Sequence, residues 1–234
     1  METISIIYTH WGMSIERSEV MKRSLASLIL TTAHLPVEII VVDNGGLIAD
    51  SEWLLSLAEL KSIQHYVRNS ENMYFGYARN QGVALASGSY LVFSDNDILY
   101  KEGWLEKCIE LLELHPDRKI LVTPLRTDRM HRSDKMWGGE IFDAQKNRYL
   151  LNMRAGSNSW VMRRKDFEIV GRFRNHRIAG SKWNDEFVRK GYLMATMEDK
   201  PLAEDIGFKH GYNHAQDVEI VRVLANKKRI IIND

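Results

Sequence analysis

Two short apolar runs constrain this chain more than any other feature, because neither alternates. Ile39-Ile40-Val41-Val42 and Leu91-Val92-Phe93 are apolar at every position. A strand with one wet face alternates apolar and polar residues. An unbroken run of β-formers instead belongs to a strand covered on both faces, as in a parallel sheet with helices packed on each side. The surrounding chain supplies those helices. Strands are expected at 4–8, 37–42, about 62–67, 89–94 and 119–123, with helices at about 16–31, 51–60, 75–86 and 102–114. Pro36 and Pro116 each follow a helical stretch, where proline stops a helix. The alternation predicts an α/β fold with a mostly parallel central sheet flanked by helices.

Both apolar runs end in carboxylates. Asp95-Asn96-Asp97 closes Tyr90–Ser94, and Asp43-Asn44-Gly45-Gly46 closes Val37–Val42. The carboxyl ends of strands are where open α/β sheets bind ligands. Two carboxylates this close repel each other unless a cation or proton sits between them. Mg²⁺ or Mn²⁺ is the natural neutraliser, since each prefers oxygen ligands and keeps positions free for phosphate oxygens. The competing reading of the triplet is a solvated turn, because Asn and Asp favour turns for backbone reasons of their own. Gly45 and Gly46 let the chain turn away from Asp43 at little steric cost.

Two more segments complete a pattern. The chain opens with Ile4-Ser5-Ile6-Ile7-Tyr8-Thr9, and Asn72-Met73-Tyr74-Phe75-Gly76-Tyr77-Ala78-Arg79-Asn80-Gln81-Gly82 runs between the two carboxylate-ended strands, followed by Ala84, Ala86, Ser87 and Gly88. Together they resemble the nucleotide-binding half of glycosyltransferase family 2, closely from residue 3 to about 105 and less closely beyond. The resemblance implies a GT-A fold: a Rossmann-like sheet with a fused acceptor-binding second half. It implies a metal-dependent enzyme, using Mn²⁺ or Mg²⁺, that moves a sugar from a UDP- or GDP-sugar to a hydroxyl of a glycan, lipid-linked or small-molecule acceptor, with inversion. It places Thr9 near the nucleobase and Asp43 on the base or ribose; a simple strand-end Thr and a cap or turn Asp are the ordinary alternatives. Asn72 and Arg79 fall in the segment that packs under the nucleotide, with Arg79 able to reach the diphosphate or pair with Asp95. Asp95 faces the ribose or binds metal through water, and Asp97 is the first choice of direct metal ligand. A late histidine completes the metal shell, and His210 and His214 are the candidates. Their i, i+4 spacing suits one helix face, whereas Gly211 and Asn213 favour a loop; an ordinary surface histidine is the alternative for either. Asn80 and Gly82 read as structural, letting helix and sheet approach closely.

The chain departs from the family where the catalytic base belongs. The usual Glu-Asp pair ahead of a helix ending in Gly-Tyr is missing, and Gly180-Ser181-Lys182-Trp183-Asn184-Asp185-Glu186 stands before Gly191-Tyr192. Asp185 is the best substitute, at the start of a helix expected over about 183–190, and Glu186 is its competitor. A carboxylate there accepts the acceptor hydroxyl's proton. The ordinary alternative is that both residues simply favour a helix N-terminus. The departure leaves a retaining mechanism open. We expect one GT-A domain over 1–234, with 1–124 binding nucleotide sugar and metal and 125–234 binding acceptor. The second half offers short strands near 140–143 and 158–162, a helix at about 165–170, and a tail that is partly helical and then apolar over 218–232. Trp137, Asn158 and Trp160 are candidates to hold an acceptor sugar, whose rings present apolar faces and hydroxyl edges; core packing is the commoner role of a Trp. The charged stretch Arg126–Lys135, with Arg129 and Arg132, reads as a lid over the diphosphate or as a solvated loop.

The formal net charge of +1 demands no nucleic acid or acidic membrane as partner. The single cysteine, Cys108, sits in an amphipathic helical pattern and reads as a buried, inert thiol. Met1-Glu2-Thr3 lacks the features of a signal peptide, and Ser24–Val37 is too short and polar to span a bilayer. A soluble, cytoplasmic protein is expected, with peripheral membrane contact left open. Two rival functions remain. A sugar-phosphate nucleotidyltransferase would carry a Gly-rich basic loop after the first strand, where this chain has Thr9-His10-Trp11-Gly12-Met13-Ser14. A non-catalytic sugar-nucleotide or carbohydrate-binding module would bind a donor without turning it over.

Overall fold

The sheet grows outward from β1 (Ile4–His10), every residue of which is buried. β1 pairs in parallel with β2 (Val37–Asp43) on one side and β4 (Tyr90–Ser94) on the other. β3 (His65–Arg68) adds to β2, also in parallel. Parallel pairing has one functional consequence: the carboxyl ends of these strands share an edge. His10 is in register with Asp43, and Tyr8 with Ser94, so the Asp43 turn and the Asp95-Asn96-Asp97 turn leave the sheet side by side. The computed structural model describes residues 2–127, 137–153, 159–175 and 179–207.

Both faces of this sheet are covered, which explains the unbroken apolar runs. Ile4, Ile6 and Tyr8 face a core built with Met21, Leu25 and Leu28 of α1 (Ile15–Thr32) and with Trp104, Leu105, Cys108 and Leu112 of α4 (Trp104–Leu114). Ile7, Ile40, Leu91 and Phe93 face a second core with Phe75 and Val83 of α3 (Tyr74–Leu85). α2 (Ile48–Glu59) contributes Leu54 to the first core. Cys108 is 2% exposed, and burial pushes its thiol up, so it is inert as expected. Among the described residues, no helix is long and apolar enough to cross a membrane.

The second half joins the same sheet. The strand order is β3-β2-β1-β4-β9-β6-β10-β8-β7, with β5 off the path on β10. β9 (Ser159–Arg163) runs antiparallel to β4 and to β6 (Ile120–Arg126). β10 (Leu193–Asp205) lies parallel to β6, and β8 (Arg148–Asn152) and β7 (Trp137–Phe142) follow antiparallel. The first four strands are thus all parallel, and the second half is mixed. β5 (Ile98–Tyr100), directly after the acidic triplet, pairs with the end of β10, setting Asp205 opposite Ile98. Two helices, α5 (Arg164–Val170) and α6 (Ala179–Arg189), complete the described chain.

Two residues set how closely α3 approaches the sheet. A Cβ at position 82 would overlap the side chain of fully buried Ile7. Asn80 holds the backbone of Phe173 from both sides, donating from Nδ2 to its carbonyl at 2.7 Å and accepting its N–H at 3.1 Å. Gly82→Ala should therefore destabilise the protein by about 1–3 kcal/mol through overpacking, despite the ~1 kcal/mol that alanine gains over glycine in a helix. The measurement is the urea midpoint at unchanged slope, and an unchanged or raised midpoint refutes the close approach.

Candidate active site

The acidic triplet is anchored from below. Ser94 Oγ lies 2.8 Å from Tyr100 Oη, which lies 2.8 Å from Ser159 Oγ, tying β4, β5 and β9 together under the turn. Above this anchor each carboxylate meets an arginine. Arg79 Nη2 donates to Asp95 Oδ1 at 2.8 Å. Arg17 Nη1 donates to Asp97 Oδ2 at 3.4 Å. A third acid arrives from β10: Asp205, 3% exposed, faces Arg126 Nη2 at 3.3 Å and accepts the Gly207 N–H at 3.0 Å. The Ile206 N–H donates to the Asp97 carbonyl at 2.9 Å, so the end of β10 is fastened to the triplet.

The arginines do not fully compensate the crowding. Burial pushes the Asp95 carboxyl above the usual range, Arg79 opposes this, and Asp205 adds to it. Burial and then the Asp95 charge push Asp97 up, against Arg17. A divalent cation would reverse that direction, because opposite charge favours the ionised form. One atom fits such a cation: Asp97 Oδ1 is buried and has no hydrogen-bond partner among the described residues. A buried carboxylate oxygen left unpaired is costly and calls for a ligand. No three His, Cys, Asp or Glu side chains converge into a metal cage among the described residues. A cation held at Asp97 Oδ1 would keep positions free for phosphate oxygens and water.

Arg79 is fully buried, and its guanidinium sits 4.9 Å from the ring of Phe75, 5.0 Å from Trp160 and 5.5 Å from both Phe93 and Phe173. Arginine stacks on aromatic faces while keeping its charge, so this cage aims a fixed cation at Asp95. The pairing with Asp95, one of the two roles expected for Arg79, is the one seen. The same packing corrects the expectation for Trp160. It is 1% exposed and stacks on Trp183 at 4.8 Å, so it belongs to the core and presents no face to an acceptor. Its β9 strand is buried at every position.

Beside the triplet, Asp43 is fully buried and organises the turn after β2. It accepts the Gly46 N–H at 2.9 Å, Ser51 Oγ at 2.5 Å, Tyr66 Oη at 3.2 Å, and Arg68 Nη1. Gly45 has φ +82°, and a Cβ there would lie 2.7 Å from the Glu71 backbone, so only glycine fits. Asn72 Oδ1 accepts from Asn44 Nδ2 and from the Tyr74 N–H, both at 2.9 Å. Asn44 Oδ1 in turn accepts from Asn69 Nδ2 at 2.9 Å and the Met73 N–H at 3.0 Å, braces that the sequence reading did not include. Thr9, 9% exposed, sits one residue before the end of β1.

The remaining candidates are dispersed. α6 begins at Ala179, earlier than expected, so Asp185 and Glu186 lie within the helix rather than at its start, and its first turn holds no acid. Asp185 is exposed. Glu186 takes Arg189 at 2.6 Å, which holds its carboxyl below the usual range. Arg126, expected to open a lid, is the last residue of β6 and is 7% exposed. Arg129, Arg132 and Lys135 lie outside the described residues, as do Asn158, His210 and His214. The backbone of Trp137 pairs with Asn152 on the outer hairpin. Asp205 had no place in the sequence reading; its only signal is Leu202-Ala203-Glu204-Asp205-Ile206-Gly207, one more strand-like segment ending in an acid and then glycine.

Comparison with known proteins adds three findings. The model of the family described as Glycosyl transferase family 2 matches residues 14–171. Polypeptide N-acetylgalactosaminyltransferase 8 of Drosophila melanogaster is 31% identical over 129 residues, 53% of this chain and 21% of that protein. Hyaluronan synthase of Pasteurella multocida is 31% identical over 113 residues, 45% of this chain and 12% of the synthase. The chain thus spans about a fifth or less of these relatives. Among solved structures, GalNAc-T7 with UDP, GalNAc and Mn²⁺ superposes with a TM-score of 0.68 at 14% identity, covering 88% of this chain and 44% of that one. S. aureus TarS 1–349 in complex with UDP gives 0.61 at 15% identity, covering 86% and 60%. At that identity the likeness is one of fold, and the fold is the expected GT-A architecture.

Proposed function

The chain belongs to glycosyl transferase family 2, and from that premise we propose that it transfers a sugar from a nucleotide diphosphate sugar to a hydroxyl acceptor, with Mn²⁺ or Mg²⁺ and with inversion. The observation that carries this reading is the pair Asp95 and Asp97 at the carboxyl edge of parallel strands, with Asp97 Oδ1 buried and unpartnered among the described residues. It is supported by the two structural relatives solved with UDP, one of them also with Mn²⁺.

In this reading Asp97 holds the metal, and Asp95, fixed by Arg79, faces the ribose or the metal's water. A late histidine, His210 or His214, completes the shell; His210 follows Gly207, whose neighbour Ile206 is bonded to Asp97, by three residues. When bound, the metal acts as a Lewis acid on the departing diphosphate. The nucleoside lies against Thr9, Asn72 and the turn that Asp43 organises, with Tyr66 and Arg68 beside it. Residues 125–234 bind the acceptor, with Trp137 and Asn158 as its candidates. The test is transfer and hydrolysis across a panel of nucleotide sugars with Mn²⁺ and with EDTA. Metal-dependent release of nucleoside diphosphate is expected; tight donor binding with no turnover would favour the binding-module reading instead.

For the base, Asp185 carries the proposal because its carboxylate is exposed, whereas that of Glu186 is held by Arg189. Asp185→Asn should lower kcat by about a hundredfold or more while leaving donor KM nearly unchanged. Normal turnover, or retention of the donor's anomeric configuration in the product, rules the assignment out.

A further inference from the structure

His10 is fully buried at the end of β1, and none of the roles given above uses it. Its ring lies between the two turns that form the site. Nδ1 is 2.9 Å from Asn96 Nδ2, and Nε2 is 3.1 Å from Asp50 Oδ2. These contacts determine the proton's place. An amide nitrogen only donates, so Nδ1 accepts and the proton sits on Nε2, donating to Asp50. Asp50 is itself fully buried and also accepts from Ser18 Oγ. Burial alone would raise its carboxyl, but the bonds from His10 and Ser18 outweigh that and hold it below the usual range.

The same contacts orient Asn96. Its nitrogen donates to His10 and, at 3.2 Å, to the Trp11 carbonyl, so its oxygen faces away and accepts from Arg17 Nη2 at 3.2 Å. Arg17 then reaches Asp97 Oδ2 through its other terminal nitrogen at 3.4 Å. Arg17 and Ser18 are consecutive on α1, so one turn of that helix is tied to the triplet by one residue and to Asp50 by the next. Linked hydrogen bonds of this kind, in a buried setting, hold their members in one geometry.

We infer that His10 is a positioning residue: by holding the Asn96 amide it fixes Arg17 on one oxygen of Asp97 and leaves the other turned toward the metal. The inference rests on the proposed reading of the triplet as a metal and diphosphate site.

The test exploits the two ring nitrogens separately. In His10→Asn the side-chain oxygen replaces Nδ1 as acceptor for Asn96 but does not reach Asp50. In His10→Gln the amide replaces the Nε2 donor to Asp50 and leaves Asn96 Nδ2 with only the longer bond to the Trp11 carbonyl, at 3.2 Å. Mn²⁺ binding to the protein alone is followed by electron paramagnetic resonance, UDP binding with Mn²⁺ by calorimetry, and folding by denaturant titration. His10→Gln should weaken Mn²⁺ binding by about 10–100-fold, the range for loss of an outer-sphere orienting partner, and His10→Asn should stay within about threefold of wild type. Equal loss in both variants, or no loss in either, overturns the inference, since a purely structural histidine does not distinguish its nitrogens. Asn96→Ala cuts the same link from the other end. It should match His10→Gln, and the double variant should be no weaker than either single one, because the two residues act as one unit; additive losses overturn the inference even if His10→Asn fails to fold. Asp97→Ala is measured alongside. Undiminished Mn²⁺ binding there overturns the metal reading itself and this inference with it, whereas loss there with full binding in His10→Gln overturns this inference alone.

Discussion

Asp97→Ala should bind a nucleoside diphosphate no better with Mn²⁺ than with EDTA, whereas the wild-type protein should bind it far better with the metal. The expectation follows from how the neighbouring oxygens are already used. Asp95 Oδ1 is held by Arg79, and Asp205 is held by Arg126 and by the Gly207 N–H. Asp97 Oδ1 alone in this group is buried without a partner among the described residues, so it is the oxygen whose removal should matter most. Metal stabilisation of a diphosphate's charge is worth several kcal/mol, and turnover should be lost with it. Arg17 remains beside the site, so some metal-independent diphosphate binding should survive the substitution. Stability distinguishes loss of the site from loss of the fold. Burial and the Asp95 charge push the Asp97 carboxyl up, meaning that the fold disfavours its ionised form. Removing it should leave the melting temperature in EDTA within a few degrees of wild type, a shift of about 1 kcal/mol or less for a chain of this size. Calorimetry showing equal diphosphate affinity for the wild-type protein with Mn²⁺ and with excess EDTA would sink the metal assignment.

What the sequence revealed and what it concealed divide along physical lines. The strand ends at Asp43 and Asp95 were legible because burial on both faces leaves an unbroken apolar run, and such a run stops visibly at its first charge. Gly82 and Asn80 were legible for a similar reason, since a glycine and an amide inside a helical pattern need a packing explanation. β10 was not legible. Its thirteen residues include Glu198, Asp199, Lys200 and Pro201 in sequence, and its register against β6 shifts around Pro201. A proline and three charges interrupt any period-2 pattern, so Asp205 could not be placed. β5 is three residues long, too short to show periodicity at all. Trp160 misled because the residues before it are polar, while its burial depends on Trp183 of α6, which stacks on it from further along the chain. The pair His10 and Asp50 lies forty positions apart and leaves no local trace. The readable part of the site is what single strands carry to the sheet edge; the concealed part is what segments distant in sequence bring against it.

Arg79→Ala should cost about 3–5 kcal/mol of stability, the range for removing one partner of a buried ion pair. Two losses combine. The guanidinium fills a space bounded by Phe75, Phe93, Trp160 and Phe173, and truncation leaves a cavity there. It also leaves Asp95 facing Asp97 and Asp205 without its own cation, in surroundings that already push its carboxyl up. A double-mutant cycle with Asp95→Asn separates the two. If the unpaired charge dominates, Asp95→Asn should restore a large part of the loss in the Arg79→Ala background, giving a coupling of about 1–3 kcal/mol. If the cavity dominates, the two substitutions should add. Arg79→Lys is the informative intermediate. It keeps the charge, but an ammonium is a compact, strongly hydrated point charge that does not stack flat among four rings as a guanidinium does. It should recover less than half of the loss, measured as the urea midpoint at constant slope. Full recovery by lysine would mean that the aromatic cage contributes nothing beyond enclosing a positive charge, and that Asp95 is held by charge alone and not by a fixed geometry.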